Sequence, residues 1–341
     1  MKMRRGGFLM GLAIFAFTLY VALDSFVIAR GYASDATQMN LSLFENVSSD
    51  SSEELTETAA ASAGLKSTGR SGKRTSSAAE STTVPETAAE TAAALSASLG
   101  GTVIGEYSDE NISIVLSEYE EEGTAVYVAD ITLSSAQYLK TAFAKDTYGK
   151  NVTAKTSDTA AANDAILAIN GDYYGAQESG YVIRNGVVYR EKAGRNEVLC
   201  IYADGTLEVA DPSDYSADEL AAAGVWQAFS FGPGLVEDGR IAVSASEEVG
   251  KAMASNPRTA IGQLGELHYV FVVSDGRTSE SEGLSLYQLA VFMQKLGVET
   301  AYNLDGGGSS SMVFMGELIN KPTTSGKSIK ERSVSDIVYI G

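Results

Sequence analysis

From residue 102 to residue 341 the chain is a series of short apolar runs, several of them cut off by an acid or an asparagine beside glycine. That punctuation leaves little room for long helices and favours strands joined by tight turns. Residues 112–116 and 125–133 have strand composition, the second with partial alternation. Residues 165–169 read as a short buried strand. Residues 182–189 read as a hairpin around Asn185-Gly186, and 197–202 with 206–209 as another around Asp204-Gly205. Further strands are expected at 268–273, 300–304 and 332–340. Helical spacing is confined to a few places. At 285–296 it sets Leu286, Leu289, Ala290, Met293 and Leu296 on one face, with Gly297 as terminator. A short helix at 216–223 ends at Gly224, a helix closes at 160–164, and 88–99 can form one more. The expected fold is α+β, a mixed, largely antiparallel sheet with a few packed helices. Helix, short strand, then an acid beside glycine occurs at 160–172 and again at 286–308. Two such units could face each other across one cleft, although chance similarity accounts for the echo equally well.

The first hundred residues are of another kind. Met1-Lys-Met-Arg-Arg5 is basic, and residues 6–23 carry no charge. A basic flank before an apolar stretch is an export signature, and this stretch is long enough to span a bilayer. Positive charge on the N-terminal side holds that end in the cytoplasm. Residues 1–33 are therefore expected to form a basic tip and a transmembrane anchor, with the C-terminal domain extracytoplasmic. Cleavage near Gly31-Tyr-Ala33, which would release a secreted protein, is the alternative. Residues 34–100 are rich in Ser, Thr, Ala and Glu and poor in large apolar groups, the composition of a disordered stalk. The folded domain is expected at 101–341.

The net charge of −19 argues against a nucleic-acid partner. Cys200 is the only cysteine and sits in a strand-like run, so it reads as a buried thiol and no intrachain disulfide can form. His268 is the only histidine, which disfavours a Ser–His–Asp triad and a zinc site built on several imidazoles. Carboxylates, arginines, tyrosines or backbone amides must then do any chemistry. Three apolar strands end in an acid beside glycine, placing Asp172, Asp275 and Asp305 on loops just beyond rigid platforms. After Asp305 come Gly306, Gly307, Gly308, Ser309 and Ser310, whose amides suit an anion nest. Arg258, Arg277 and Arg332 offer forked donors for phosphate or carboxylate. Trp226, Phe229 and Phe231 are candidates for an aromatic wall, with core packing the commoner use.

In order along the chain stand Ala168-Ile-Asn-Gly171, Phe231-Gly-Pro-Gly-Leu235, Pro257-Arg-Thr-Ala-Ile-Gly262, Asp275-Gly-Arg277 and Asn303-Leu-Asp-Gly-Gly-Gly-Ser-Ser310. Asn320-Lys-Pro322 and Glu331-Arg-Ser-Val334 follow. This series resembles the phosphodiester glycosidase family over residues 102–341. The resemblance implies cleavage between a sugar anomeric carbon and a phosphodiester oxygen. It assigns Asp305, Asp275 and Arg258 as catalytic candidates. Asn170, Gly171, Arg277, Arg332 and the glycine–serine loop are its candidates for substrate and phosphate binding. Asp172 stands where many relatives have a second glycine, so it is carried only as a substrate contact. No cofactor is required, although a divalent cation bridging an aspartate and phosphate oxygens is compatible. The expected partners are a sugar-phosphate or anionic glycan substrate and, through the N-terminal segment, the membrane. The expected activity is hydrolysis of a hexosamine-type sugar-1-phosphodiester in cell-envelope or exopolysaccharide material. A non-catalytic module binding anionic wall glycan through the same groups is the alternative, and a phosphodiesterase cutting P–O is a third.

Overall fold

A computed structural model of the chain describes residues 30–31, 87–246 and 255–341. The apolar run at 6–23 and most of the expected stalk lie outside the described residues. Among the described residues no helix is long and apolar enough to cross a membrane. Part of the stretch assigned to the stalk is structured: a helix at Ala88–Ser98 buries Ala92 and Ser96. Gly101 follows it so closely packed that a Cβ there would lie 2.6 Å from the Tyr119 ring.

The rest is β-rich, in three main sheets. The largest has eight strands, in the order Arg240–Ile241, Gly234–Glu237, Thr300–Asn303, Arg258–Gly265, His268–Ser274, Thr124–Leu133, Ile112–Glu121 and Thr102–Ser108. The second runs Glu317–Leu318, Met312–Phe314, Leu167–Asn170, Asp336–Ile340 and Leu139–Phe143. The third runs Leu207–Ala210, Val198–Tyr202, Val225–Phe229, Val182–Arg184 and Val187–Arg190. The mixed sheet expected from the sequence is corrected on two counts. There are several sheets, and every strand pairing among the described residues is antiparallel. Composition marks a strand, but its direction is set by a partner often far away in sequence.

Period-two alternation explains why central strands read as unbroken apolar runs. In His268–Ser274, Tyr269, Phe271 and Val273 enter a core shared by all three sheets. The intervening Val270 and Val272 face the opposite way, into a second core with the helix Leu286–Lys295. Thr124–Leu133 divides likewise: Tyr127, Ala129, Ile131 and Leu133 on one side, Val126 and Val128 on the other. The helix starts at a capping box in which Ser285 and Gln288 bond reciprocally, and Gly297 ends it at φ 87°. Ser216 and Glu219 cap Ala217–Ala222 in the same way. Asn185 and Gly186 both have positive φ, as the predicted tight turn requires. Cys200 is buried and free.

Candidate active site

Antiparallel register collects the site. Arg258 opens its strand opposite Ser274, and Ala260 pairs with Asn303. The start of one strand thus lies beside the ends of its two neighbours, and Asp275 and Asp305 follow directly beyond those ends. Arg258, Asp275 and Asp305 therefore share one end of the eight-stranded sheet. The strand Leu167–Asn170 of the second sheet finishes at the same place. Asp305 N–H donates to Gly171 O at 3.2 Å, and Asn170 Nδ2 donates to Asp305 O at 2.6 Å. Thr259 Oγ1 and Ser311 N–H both donate to Asn170 Oδ1. The internal echo is therefore spatial: Asn170-Gly-Asp172 and Asn303-Leu-Asp305 each close a strand, and the two turns meet.

Asp305 is buried, and Arg332 Nη2 donates to its Oδ2 at 3.2 Å. Arg332 also holds Ser309 Oγ through Nε at 2.9 Å and Nη2 at 2.6 Å, while its side chain stays 40% exposed. Burial pushes the Asp305 carboxyl above its ordinary value, and Arg332 with the Ser309 hydroxyl pulls it partly back. Arg277 approaches from the other side of the loop. Its Nε and Nη2 donate to Asn256 Oδ1, and its Nη1 donates to Thr324 O at 2.7 Å. Burial first, and then the like charge of Arg332, lower the value of this guanidinium. Two cations thus stand about the glycine loop, Arg332 on the Asp305 carboxylate and Arg277 against Gly307, which suits an incoming anion. Arg332 was expected to open the last strand. That strand is Asp336–Ile340, and Arg332 lies in the loop before it, its N–H donating to Gly308 O.

The three glycines are closely packed, and three amides of the loop have partners within the protein. Gly307, Ser309 and Ser310 spend their N–H groups on Pro257 O, Gly306 O and Gly307 O, within a single 3₁₀ turn and its flank. A Cβ at Gly307 would lie 2.8 Å from Arg277 Nη2, one at Gly306 2.9 Å from Pro257 O, and one at Gly308 3.1 Å from Thr324 Cβ. Of the amides expected to form a nest at Gly306–Ser310, three are thus taken, and at Gly307 the missing Cβ lets the Arg277 guanidinium approach.

Asp275 has its own surroundings. Its Oδ1 accepts Lys321 N–H at 2.8 Å and Asn320 Nδ2 at 3.3 Å, and Asn320 Nδ2 also donates to Ser310 O. Burial raises its carboxyl, against the pull of those donors. A cleft of about 470 Å³ opens here, lined by Glu118, Tyr127, Thr278, Glu280, Ser281 and Lys321. Arg258 is buried, donates from Nε to Leu284 O at 2.8 Å, and runs beneath Gly306. Asn320 and Glu331, whose carboxylate accepts from Ser157 N–H and Oγ, pin the two ends of the loop between them.

Asp172, expected as a substrate contact, is buried and its carboxylate is taken up within the protein. Its oxygens accept Tyr174 N–H and Ser230 N–H, both at 3.0 Å, and Arg184 Nη2 lies 3.5 Å away. Arg184 also bonds Asp336 Oδ2 at 2.5 Å and stacks 3.9 Å from the Phe229 ring centroid. Burial raises the Asp336 carboxyl to about 7, opposed by Arg184 and assisted by Asp172. Neither Arg184 nor Asp336 was found by sequence reasoning. The available signal was a charge inside an apolar strand, since fully buried charges need partners. Of the aromatic-wall candidates, Phe229 is buried under Arg184, Trp226 packs on Gly186 and Phe231 packs against the core, the commoner use of such residues. Tyr173, beside Asp172, is the exposed aromatic here, at 44%. Among the described residues no group of three His, Cys, Asp or Glu side chains is placed to hold a metal ion.

Residues 163–341 match the family described as Phosphodiester glycosidase. The chain is 31% identical over 162 residues to the SPbeta prophage-derived uncharacterized protein YomE of Bacillus subtilis (strain 168), covering 46% of this chain and 25% of that protein. It is 29% identical over 186 residues to the N-acetylglucosamine-1-phosphodiester alpha-N-acetylglucosaminidase of Mus musculus, covering 50% of this chain and 36% of that one. The chain thus spans little more than a third, at most, of these curated relatives. Among solved structures, the zebrafish N-acetylglucosamine-1-phosphodiester alpha-N-acetylglucosaminidase catalytic domain, auto-inhibited by its pro-peptide, superposes with a TM-score of 0.55 at 22% identity, covering 70% of this chain and 87% of that one. A hypothetical protein from Synechocystis gives 0.51 at 16% identity, covering 68% and 62%. At these identities the superpositions speak to the fold.

Proposed function

This chain belongs to the phosphodiester glycosidase family, and from that premise we propose that it hydrolyses the glycosidic bond of a hexosamine-type sugar-1-phosphodiester in cell-envelope or exopolysaccharide material. The observation that carries the reading is the pair of guanidiniums, Arg277 and Arg332, set about the glycine loop beside the single carboxylate of Asp305. The phosphodiester sits against those cations. Its phosphate is already a stable anion when the C–O bond breaks, so little proton donation is required, and the absence of a usable histidine is no obstacle. The sugar carbon becomes cation-like, and the Asp305 carboxylate stabilises it electrostatically. Water adds to that carbon, giving a free sugar and a phosphomonoester. Asn170 fixes the Asp305 backbone, and Arg258 supports the glycine loop from beneath. Asp275 and the cleft beside it offer carboxylate and hydroxyl groups to the sugar hydroxyls. The basic tip and apolar run at the N-terminus support a membrane-anchored, extracytoplasmic setting.

The purified full-length chain, supplied with α- and β-linked hexosamine-1-phosphodiesters, tests the reading. Turnover by the wild type, reduced about 10²–10³-fold in Asp305→Asn while glycan retention persists, is the expected result. Retention without turnover of any sugar phosphodiester would instead assign a binding module.

A further inference from the structure

Gly171 stands between two acids. Its carbonyl accepts the Asp305 N–H, and a Cβ on it would lie 2.7 Å from Asp336 Cγ. Asp336 belongs to a fully enclosed group with Arg184 and Asp172, whose side chains are 0%, 2% and 0% exposed in that order. Arg184 keeps its charge, since a guanidinium does not deprotonate in proteins. Two ionised carboxylates on one guanidinium would leave an uncompensated negative charge out of water, which is costly. Hydrogen bonds identify where a neutralising proton goes. Both Asp172 oxygens accept backbone N–H groups, and Asp336 Oδ2 accepts from Arg184. Asp336 Oδ1 is buried and has no partner.

We propose that Asp336 is a positioning residue that carries a proton on Oδ1 in the working protein, keeping the Asp172–Arg184–Asp336 group neutral behind the Asp305 turn. The proposal rests on the reading of Asp305 as the carboxylate of the site. The groups facing Asp336 are Arg184, Asp172, Tyr174 and Asp305. Apart from Arg184, each is disturbed by a second negative charge. When Asp336 loses its proton, the new negative charge behind the Asp305 turn repels the anionic phosphodiester, and kcat/KM falls. The sign for stability follows. The folded carboxyl holds its proton above the pH at which the unfolded chain has released it, so stability declines as pH rises from the ordinary carboxylate range to about 7 and stays low beyond.

Three measurements on the full-length chain decide it. Carboxyl ¹³C resonances of labelled aspartate should show one protonated carboxyl at about pH 6, absent from Asp336→Asn. Thermal unfolding of the wild type should shift to lower temperature between about pH 5 and pH 8, and the variant, whose amide imitates the neutral acid, should lack that shift. The kcat/KM profile of the wild type should fall on the alkaline side, and Asp336→Asn should remove that limb while keeping the acid limb. A structural role alone would scale the whole profile without changing its shape. No protonated carboxyl at about pH 6, or an alkaline limb that survives in the variant, overturns the proposal. Should the variant fail to fold, the wild-type resonances decide alone. Absence of any turnover would count against the hydrolase reading, leaving the resonance and unfolding results to judge the proton.

Discussion

At Asp305 burial and Arg332 act in opposite directions on one carboxyl. In the proposed reaction the ionised form stabilises the cationic sugar, so kcat/KM should rise with pH through a midpoint above that of an ordinary aspartate. Arg332→Gln removes the cation that pulls the carboxyl down, and the acid limb should move to higher pH, as a pH–rate series would read. A limb unmoved in that variant would separate Arg332 from Asp305. Asp305→Asn should cost about 10²–10³ in kcat, the scale for removing one preorganised electrostatic partner. Asp305 itself was legible because an apolar strand stops at it and three glycines follow. Arg184 and Asp336 were not, because one resembles a hairpin residue and the other a strand residue. Their pairing spans 152 positions, and local pattern has no access to it.

Two elements set the geometry around that residue. The glycine turn admits Arg277 only because Gly307 lacks a Cβ and sits at φ 62°. Gly307→Ala should displace the guanidinium, lowering kcat/KM, and destabilise the fold by roughly 1 kcal/mol or more through strain at positive φ. Enzyme assay beside denaturant unfolding reads both effects. The helix Leu286–Lys295 packs on the opposite face of the sheet, but its cap Ser285 follows Leu284, whose carbonyl accepts Arg258 Nε. Ser216→Ala, at the cap of Ala217–Ala222 on the third sheet, should cost about 1 kcal/mol in urea unfolding with kcat unaltered, whereas Ser285→Ala should also lower kcat by loosening Leu284 under Arg258. Helix positions and hairpins were readable because caps, Asn-Gly turns and terminal glycines act within a few residues. The largely antiparallel pairing was expected, but the lack of any parallel pair among the described residues and the division into three sheets were not readable, since partners such as Leu167–Asn170 and Asp336–Ile340 lie far apart in sequence.

At the scale of the whole molecule, one core shared by three sheets holds the strand ends together. Phe271 is fully buried in it, so Phe271→Ala should destabilise by about 3–5 kcal/mol and depress activity only through the folded fraction, as paired unfolding and rate measurements would distinguish. The site lies where strands of two sheets finish together, which the sequence hinted at through its repeated acid-beside-glycine endings. What ties Asp172, Asp305 and Asp336 into one neighbourhood is the crossing of those sheets. The most direct test of the account is hydrolysis of a hexosamine-1-phosphodiester by the full-length chain in oxygen-18 water. Label is expected in the anomeric hydroxyl of the released sugar. Label in the phosphate would show P–O cleavage and contradict the mechanism built on Asp305.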